Sequence, residues 1–237
     1  MGRALITGAS SGIGEATARA FAVAGFEVAL VARSRARLEA LANELEALGV
    51  RAEAFVIDLA EVEQVKVRVE AALADFGAID VLVNSAGMGY TGSLGDMPLG
   101  DWQRVMALNV TSVFQVMQAV LPGMRAQAEG GLIVNIASIA AQQFFPNWGA
   151  YGVSKAALVA LSGAISAEES AHGIRVVTVS PGAVNTAIWD TATVQADFDR
   201  SVMLTPDTVA QTILHTALLP SNAVISQLTI TPSQGAL

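Results

Sequence analysis

Short apolar runs alternate along this chain with longer stretches in which apolar residues recur at helical spacing. Seven runs predict strands, at residues 3–7, 27–32, 52–57, 80–83, 132–137, 174–180 and 227–231. These runs are apolar on both faces, which is typical of strands buried in a parallel sheet. The intervening segments predict helices, the clearest at residues 35–48, 99–127, 151–171 and 206–218. The pattern therefore predicts an α/β fold, a doubly wound parallel sheet with helices on both faces.

The chain contains no internal repeat, linker or low-complexity tail, so a single domain over residues 1–237 is the simplest interpretation. Residues 88–100 are rich in glycine and predict a loop. Residues 187–204 have weak periodicity and contain Trp189 and Phe198, which predicts a mobile lid over a substrate site.

Composition excludes several classes of function. The chain has no cysteine, so it has no disulfide framework or thiolate metal site, and the spacing of His172 and His215 predicts no metal centre. A net charge of −8 argues against a nucleic-acid partner. The apolar runs are strand-sized, so we expect no membrane span. Met1 leads directly into an apolar strand without a signal-like segment, and we expect a cytoplasmic protein.

The stretch from Ser138 to Lys155 is the strongest candidate for chemistry. A helix starting near Tyr151 places Lys155 beneath the Tyr151 ring, because residues four apart share a helix face. A nearby cation favours the phenolate and would lower the pKa of Tyr151 from its ordinary value near ~10, so that it could exchange a proton. Ser138 follows a buried strand, at the sheet edge where ligands of open α/β sheets bind. A Y-x-x-x-K pattern also occurs by chance in many helices.

Glycines follow the first strand, at Gly8, Gly12 and Gly14. Glycines at a strand-to-helix turn let the backbone approach a pyrophosphate held by the helix N-terminus. The same letters match G-x-S-x-G, the nucleophile elbow of hydrolases, with Ser10 as nucleophile. That alternative is disfavoured because no earlier strand and loop exist to supply a second oxyanion donor.

Arginines follow the second strand, where an NAD site prefers an acidic residue for the ribose 2′-hydroxyl. Arg33 stands at that point and suits a 2′-phosphate instead, because guanidinium offers a planar fork to phosphate oxygens. Arg35 and Arg37 are better explained as solubilising the next helix. Asp58-Leu59 end the third strand, where Asp58 could bind an adenine amino group or cap the following helix.

Further candidates lie at later strand ends. The small residues from Asn84 to Gly87 follow the fourth strand and allow a cofactor to pass close to the backbone. Asn109 is a poor helix former in mid-helix, which indicates strain or function. Pro181-Gly182 end the sixth strand, and Thr186 lies within reach of a ligand at the sheet edge.

Together these motifs resemble the short-chain dehydrogenase/reductase family across essentially the whole chain. They are T-G-x-x-x-G-I-G at 7–14, N-S-A-G at 84–87, Asn109, Ser138, Y-x-x-x-K at 151–155 and P-G at 181–182. The resemblance implies a Rossmann-like fold that binds NADP(H), with NAD(H) less favoured. It implies that the cofactor contacts Gly8, Ser10, Ser11, Gly12, Ile13, Gly14, Arg33, Asp58, Leu59, Asn84, Ala86, Gly87, Tyr151, Lys155, Pro181, Gly182, Val184 and Thr186. Ser85 departs from the family pattern, which usually has a second asparagine there.

The resemblance also implies roles in hydride transfer between nicotinamide and a carbonyl or carbinol carbon. Tyr151 would act as acid or base, Ser138 would polarise the carbonyl oxygen, Lys155 would hold the nicotinamide ribose, and Asn109 would hold a proton-relaying water. The family implies homodimers or homotetramers built on the helices that contain Asn109 and Tyr151. A cofactor-binding regulator without turnover is a further alternative.

Apolar and aromatic residues dominate the segments expected to face the substrate. No lysine or arginine stands among them to bind a carboxylate or phosphate. We therefore expect an uncharged ketone, aldehyde or hydrophobic alcohol. The candidates are Met88, Tyr90, Ile139, Gln142, Phe144, Phe145, Trp148 and Trp189.

Overall fold

The computed structural model describes residues 2–196 and 198–235. Seven parallel strands form one sheet in the order β3-β2-β1-β4-β5-β6-β7. The strands are β1 (Arg3–Thr7), β2 (Glu27–Ala32), β3 (Ala52–Val56), β4 (Val81–Asn84), β5 (Gly131–Ile136), β6 (Ile174–Pro181) and β7 (Gln227–Ile230). The predicted α/β class and parallel sheet are confirmed.

Helices cover both faces of the sheet. They are α1 (Gly12–Val23), α2 (Arg35–Glu46), α3 (Val62–Phe76), α4 (Leu99–Met106), α5 (Ser112–Arg125), α6 (Gly149–Glu169) and α7 (Pro206–Ala217). Residues of α1, α2 and α7 pack in the hydrophobic core on one face, and residues of α3, α5 and α6 pack in the core on the other. Leu5, Leu30 and Ile133 are fully buried between these layers. Burial of each such side chain contributes about 1.5–3 kcal/mol, so the central strands stabilise the fold from both faces.

The sheet changes direction at β1. The chain moves outward from β1 to β2 and β3, then returns to form β4 on the other side of β1. The loops after β1 and β4 therefore diverge to opposite faces, which opens a crevice at the carboxyl ends of the strands. Gly8 and Ser85 begin these two loops, and the predicted site residues all lie at or near this edge.

Asn109 interrupts the helix predicted at residues 99–127. The structure divides that helix into α4 and α5, joined by a π-helical turn at Ala107–Thr111. The backbone N–H of Ser112 bonds to the carbonyl of Ala107 across this wider turn, and Asn109 is fully buried within it. Single π-turns inside helices are frequent at functional sites.

Two helical stretches are long and apolar enough to span a membrane, Leu99–Arg125 and Gly149–His172. Both belong to the layer that packs on the sheet. In the most apolar 18-residue stretch of each, 50% and 39% of the residues are buried. Core helices of globular proteins meet the same two criteria, so the expected absence of a membrane span stays a prediction.

Candidate active site

A cavity of about 920 Å³ follows the carboxyl edge of the sheet. One end, here the basic end, is lined by Arg33, Ser34, Arg37 and Asp58. The other, here the aromatic end, is lined by Phe145, Trp148, Trp189 and Phe198. Between the ends lie the glycine turn after β1 and the side chains of Ser138, Tyr151 and Lys155. One continuous cavity thus joins the two groups of candidates.

Most of the predicted site residues line this cavity. Gly14, Asn84 and Asn109 do not, and all three are buried. The predicted residues that line it are Gly8, Ser10, Ser11, Gly12, Ile13, Arg33, Asp58, Leu59, Ala86, Gly87, Ser138, Tyr151, Lys155, Pro181, Gly182, Val184 and Thr186.

The turn after β1 depends on two close backbone approaches. Gly8 has a φ of +68°, and a Cβ at this position would lie 2.8 Å from the backbone nitrogen of Ala86. At Gly14 a Cβ would lie 2.4 Å from the carbonyl oxygen of Gly8, so α1 starts directly against the end of β1. Side chains at either position would displace backbone rather than a flexible group. The N-terminus of α1 is thereby held at the cavity, where its free N–H groups can bind an anion.

Thr7 fixes the loop after β4, a role that the sequence interpretation missed. Its hydroxyl oxygen accepts hydrogen bonds from the backbone N–H of Ser85 at 3.1 Å and of Ala86 at 3.2 Å. Ser85 is bound here through its backbone, so this contact does not require the asparagine that is usual at the position.

Asn84 belongs to a buried polar chain rather than to the cavity wall. Its amide nitrogen donates to Oδ1 of Asn135 on β5, and the amide nitrogen of Asn135 donates to Ser162 Oγ on α6, at 2.9 and 2.8 Å. All three side chains are at most 2% exposed. Because buried amides need partners, this chain sets β4, β5 and α6 in one register.

Asn109 is also used internally. Its Oδ1 accepts from the backbone N–H of Met88, and its Nδ2 donates to the carbonyl of Met88 and to Ser154 Oγ, all within 2.8–2.9 Å. The Ser154 hydroxyl donates in turn to the carbonyl of Tyr151 at 2.7 Å. The side chain of Asn109 thus connects the loop after β4 with the start of α6. The predicted water relay stays a prediction.

Ser138, Tyr151 and Lys155 meet in the middle of the cavity. Ser138 lies two residues after β5 and caps a short turn, because Ala140 N–H donates to its hydroxyl at 3.1 Å. Helix α6 begins at Gly149, two residues before the predicted start, and places Lys155 Nζ 5.7 Å from the Tyr151 ring centroid. Lys155 Nζ donates to the carbonyl of Ile136 at 2.7 Å, which ties α6 to the end of β5.

The pKa values of the two titratable groups are set mainly by burial. Burial raises the pKa of the Tyr151 phenol above its ordinary value, and the neighbouring Ser138 hydroxyl lowers it by a smaller amount. The expectation that Lys155 would lower the pKa of Tyr151 is therefore wrong for the protein alone. Burial also lowers the pKa of Lys155 to about 8, because a charged ammonium loses hydration there. Because its pKa is raised, Tyr151 is a protonated phenol at neutral pH.

The basic end contains a second arginine. Arg35 points away, is 70% exposed on its side chain and pairs with Glu39, in agreement with a solubilising role. Arg37, which was given the same role, instead lines the cavity with Arg33. Arg37 lies in the first turn of α2, whereas Arg33 precedes the helix, so helical spacing alone does not relate the directions of the two side chains. Asp58 accepts from Ala60 N–H at 2.9 Å and does not cap α3, whose N-cap is Glu61.

The aromatic end corrects the list of substrate-facing candidates. Met88, Ile139, Phe145, Trp148 and Trp189 line the cavity as predicted. The three others, Tyr90, Gln142 and Phe144, do not. The Tyr90 hydroxyl donates to Asp101 at 2.9 Å, and Phe144 is 86% exposed. Neighbours in one loop point in opposite directions, which residue type alone does not reveal.

The predicted lid, residues 187–204, covers the aromatic end. It contains two short 3₁₀ turns, Ala187–Asp190 and Arg200–Val202. Backbone bonds of 2.9 Å hold its far end, from Leu204 N–H to Ala183 and from Asn185 N–H to Leu204. Its middle is tied to the loop after β4, because Thr91 N–H donates to the carbonyl of Thr193 at 2.8 Å. Asp197 lies outside the described residues, and the predicted mobility stays a prediction.

The hydrolase alternative lacks a general base in the described structure. Ser10 lines the cavity, but neither His172 nor His215 does. His172 follows α6 and His215 lies on α7. Without histidine beside Ser10, the G-x-S-x-G match is explained by the glycine turn.

Comparisons with known proteins agree with this geometry. A family model described as short chain dehydrogenase matches residues 3–197. An uncharacterized oxidoreductase of Mycobacterium tuberculosis is 38% identical over 214 residues, which are 88% of this chain and 62% of that protein. The chain thus spans somewhat under two thirds of the length of this relative. D-threitol dehydrogenase of Mycolicibacterium smegmatis is 39% identical over 191 residues, 79% of this chain and 73% of that protein.

Solved structures share the fold over nearly the whole chain. An alcohol dehydrogenase from the archaeon Thermococcus sibiricus, complexed with 5-hydroxy-NADP, has a TM-score of 0.90 and 30% identity, covering 99% of this chain and 98% of that one. L-sorbose reductase from Gluconobacter frateurii, complexed with NADPH and L-sorbose, has a TM-score of 0.87 and 30% identity, covering 97% and 94%. The chain therefore belongs to the short-chain dehydrogenase/reductase family.

Proposed function

We propose that this protein is an NADP(H)-dependent oxidoreductase that interconverts a carbonyl group and an alcohol. The observation that carries the proposal is the position of Ser138, Tyr151 and Lys155. They meet midway along a cavity with a basic end suited to a phosphorylated dinucleotide and an aromatic end suited to a substrate.

The residues present fit a dinucleotide. Gly8 and Gly14 allow close backbone contacts that hold the N-terminus of α1 at the cavity, where its free N–H groups would bind a pyrophosphate. Arg33 and Arg37 would hold a 2′-phosphate at the basic end, and Val184 and Thr186 would hold the nicotinamide carboxamide. The NADP complexes of two similar structures support this assignment. A bound nicotinamide supplies or accepts the hydride.

The proton is the part of the reaction that this chain supplies. The raised pKa of Tyr151 keeps its phenol protonated, as an acid for carbonyl reduction must be. Ser138 would donate to the same substrate oxygen, and the Lys155 ammonium would stabilise the phenolate that forms after proton transfer. In the oxidation direction Tyr151 would accept the alcohol proton instead.

We also propose that the substrate is small, uncharged and mostly hydrophobic. Arg33, Arg37, Asp58 and Lys155 are the charged residues among the described lining residues. The first three lie at the basic end, and Lys155 lies beneath Tyr151. A substrate carboxylate or phosphate would thus find no partner at the aromatic end.

The first experiment is a calorimetric titration with NADPH and with NADH, repeated on Arg33→Ala. Loss of charge-assisted hydrogen bonds should weaken NADPH binding by about tenfold or more and leave NADH binding nearly unchanged. Equal affinities for both nucleotides in the unaltered protein would contradict the NADP preference. Oxidation of NADPH in the presence of a carbonyl panel then tests turnover, and binding without turnover would favour a regulator.

We further propose a cytoplasmic homo-oligomer. Phe114 on α5 and Val153 on α6 are 37% and 39% exposed, and small residues such as Ala156 and Ala160 lie along α6. Apolar helix faces of this kind support pairing across a two-fold axis. Light scattering after size exclusion should give a dimer or tetramer, and a monomer would contradict the proposal. Cell fractionation tests the compartment.

A further inference from the structure

Aromatic rings form a continuous chain from the reactive phenol to the lid. The Trp148 ring meets the Tyr151 ring edge-on, with centroids 5.4 Å apart at 71°. The Trp148 and Trp189 rings are 5.6 Å apart at 67°, and those of Trp189 and Phe198 are 5.2 Å apart at 78°. These spacings lie in the range that aromatic pairs prefer. A row of steeply tilted rings therefore lines the cavity beside Tyr151.

Two hydrogen-bonding groups at this end of the cavity are already occupied. The indole N–H of Trp189 donates to the carbonyl of Val184 at 2.8 Å, and the Thr191 hydroxyl donates to the carbonyl of Ile188 at 2.8 Å. A hydroxyl-rich substrate would place several of its groups against these rings without partners. Each unpaired buried group would weaken binding by about five- to a hundredfold.

The volume of the cavity limits the size of the substrate. Pockets of roughly 300–1,000 Å³ commonly hold one ligand. This cavity, of about 920 Å³, would have to hold a dinucleotide as well as the substrate. Space beside Tyr151 is thus suited to a compact molecule.

We infer that the preferred substrates are compact ketones or aldehydes with an aromatic ring next to the carbonyl carbon, and that Trp148 recognises this ring. When the carbonyl oxygen of the substrate lies at Ser138 and Tyr151, an aromatic ring bonded to its carbonyl carbon would pack against the Trp148 ring. The inference rests on the proposed function and adds the class of substrate to it. It differs from the polyhydroxylated compounds for which two similar proteins are named.

The test compares acetophenone with cyclohexyl methyl ketone, which has the same carbon skeleton without the aromatic ring, and with L-sorbose. Initial rates of NADPH oxidation give kcat and KM for each in the unaltered protein, Trp148→Leu, Trp148→Phe and Trp189→Leu. Trp102→Leu is the matched control, because Trp102 lies on α4 outside the cavity lining. Intrinsic reactivity of the two ketones cancels when their kcat/KM ratio is compared between proteins.

We expect the acetophenone to cyclohexyl ratio to fall about two- to tenfold in Trp148→Leu, mainly through KM, because one aromatic pair is lost. Trp148→Phe should keep most of the ratio, since it keeps a ring, and Trp102→Leu should keep all of it. L-sorbose should have the lowest kcat/KM.

An unchanged ratio in Trp148→Leu would overturn the inference. If that variant does not fold, an unchanged ratio in Trp189→Leu, which removes the ring that packs on Trp148, would overturn it instead. A higher kcat/KM for L-sorbose than for acetophenone would do the same. Either result leaves carbonyl reduction in place. If no carbonyl compound supports NADPH oxidation, the proposed function fails, and the inference fails with it.

Discussion

The glycine turn and the aromatic end of the cavity are built in different ways. The region around the glycine turn is made of strand ends and backbone. Gly8 and Gly14 fix its shape through main-chain contacts, and the Thr7 hydroxyl binds the backbone of the loop after β4. The aromatic end is made of side chains from two separate segments, the loop before α6 and the predicted lid, joined by ring contacts such as that between Trp148 and Trp189. Backbone contacts tolerate few changes, whereas loops can exchange side chains. A change of side chains at the aromatic end would therefore alter the substrate pocket without altering the backbone of the glycine turn.

Tyr151 stands where the two regions join, and its loss should have the largest effect. In Tyr151→Phe the ring and its packing on Trp148 remain but the proton donor is absent, so kcat should fall about 10²–10⁴-fold. NADPH affinity, measured by fluorescence titration, should change little. A variant with kcat within tenfold of the unaltered protein would show that another group supplies the proton.

Gly14→Ala tests whether the backbone region accepts a side chain. The added Cβ would lie 2.4 Å from the carbonyl oxygen of Gly8, so α1 or the turn must shift. We expect a loss of about 1–3 kcal/mol in the free energy of unfolding, together with weaker NADPH binding. Gly100→Ala is the matched control, because a Cβ there meets nothing within 4 Å. Equal stability of the two variants in urea would refute the packing argument.

Lys155→Met tests the cost of placing a charge at the junction. The pKa of Lys155 is about 8 in the folded protein against 10.5 in the unfolded chain, so the unfolded state binds the proton more tightly. Its contribution to stability therefore rises between about pH 8 and 10.5, and below pH 8 burial of the charge is unfavourable.

At pH 7 the free energy of unfolding of the variant should accordingly be higher by about 2–3 kcal/mol, which is measured as a higher unfolding temperature. The variant should also lose activity. The difference in stability between Lys155→Met and the unaltered protein should shrink towards pH 10. Lys66→Met is the matched control, because it removes a lysine whose side chain is 46% exposed on α3. A destabilised Lys155→Met protein at pH 7 would mean that the bond to Ile136 outweighs desolvation.

Phe144→Ser should have the smallest effect. Phe144 is 86% exposed and does not line the cavity, although it adjoins Phe145, which does. We expect kcat/KM for an aryl ketone to change less than twofold, whereas Phe145→Ser should lower it more. A larger loss in Phe144→Ser would indicate that this loop rearranges when substrate binds.

Local patterns predicted most of the fold and the cofactor region. The alternation of apolar runs and helical segments predicted all seven strands, and the glycines at 8, 12 and 14 predicted the turn after β1. These features depend on residues close together in sequence. The direction of Arg37 into the cavity and the exposure of Phe144 were not predicted, because both depend on how a helix or loop is rotated against the rest of the chain.

The sequence by itself determined the order of strands and helices along the chain, the family, and the spacing that places Lys155 beneath Tyr151. Only the tertiary structure decided that Asn109 binds Met88 and Ser154, that burial raises the pKa of Tyr151, and that Trp148 lies between Tyr151 and Trp189. The physical reason is range. Backbone geometry and periodicity act over a few residues, whereas desolvation and ring packing depend on groups that folding brings together from distant parts of the chain.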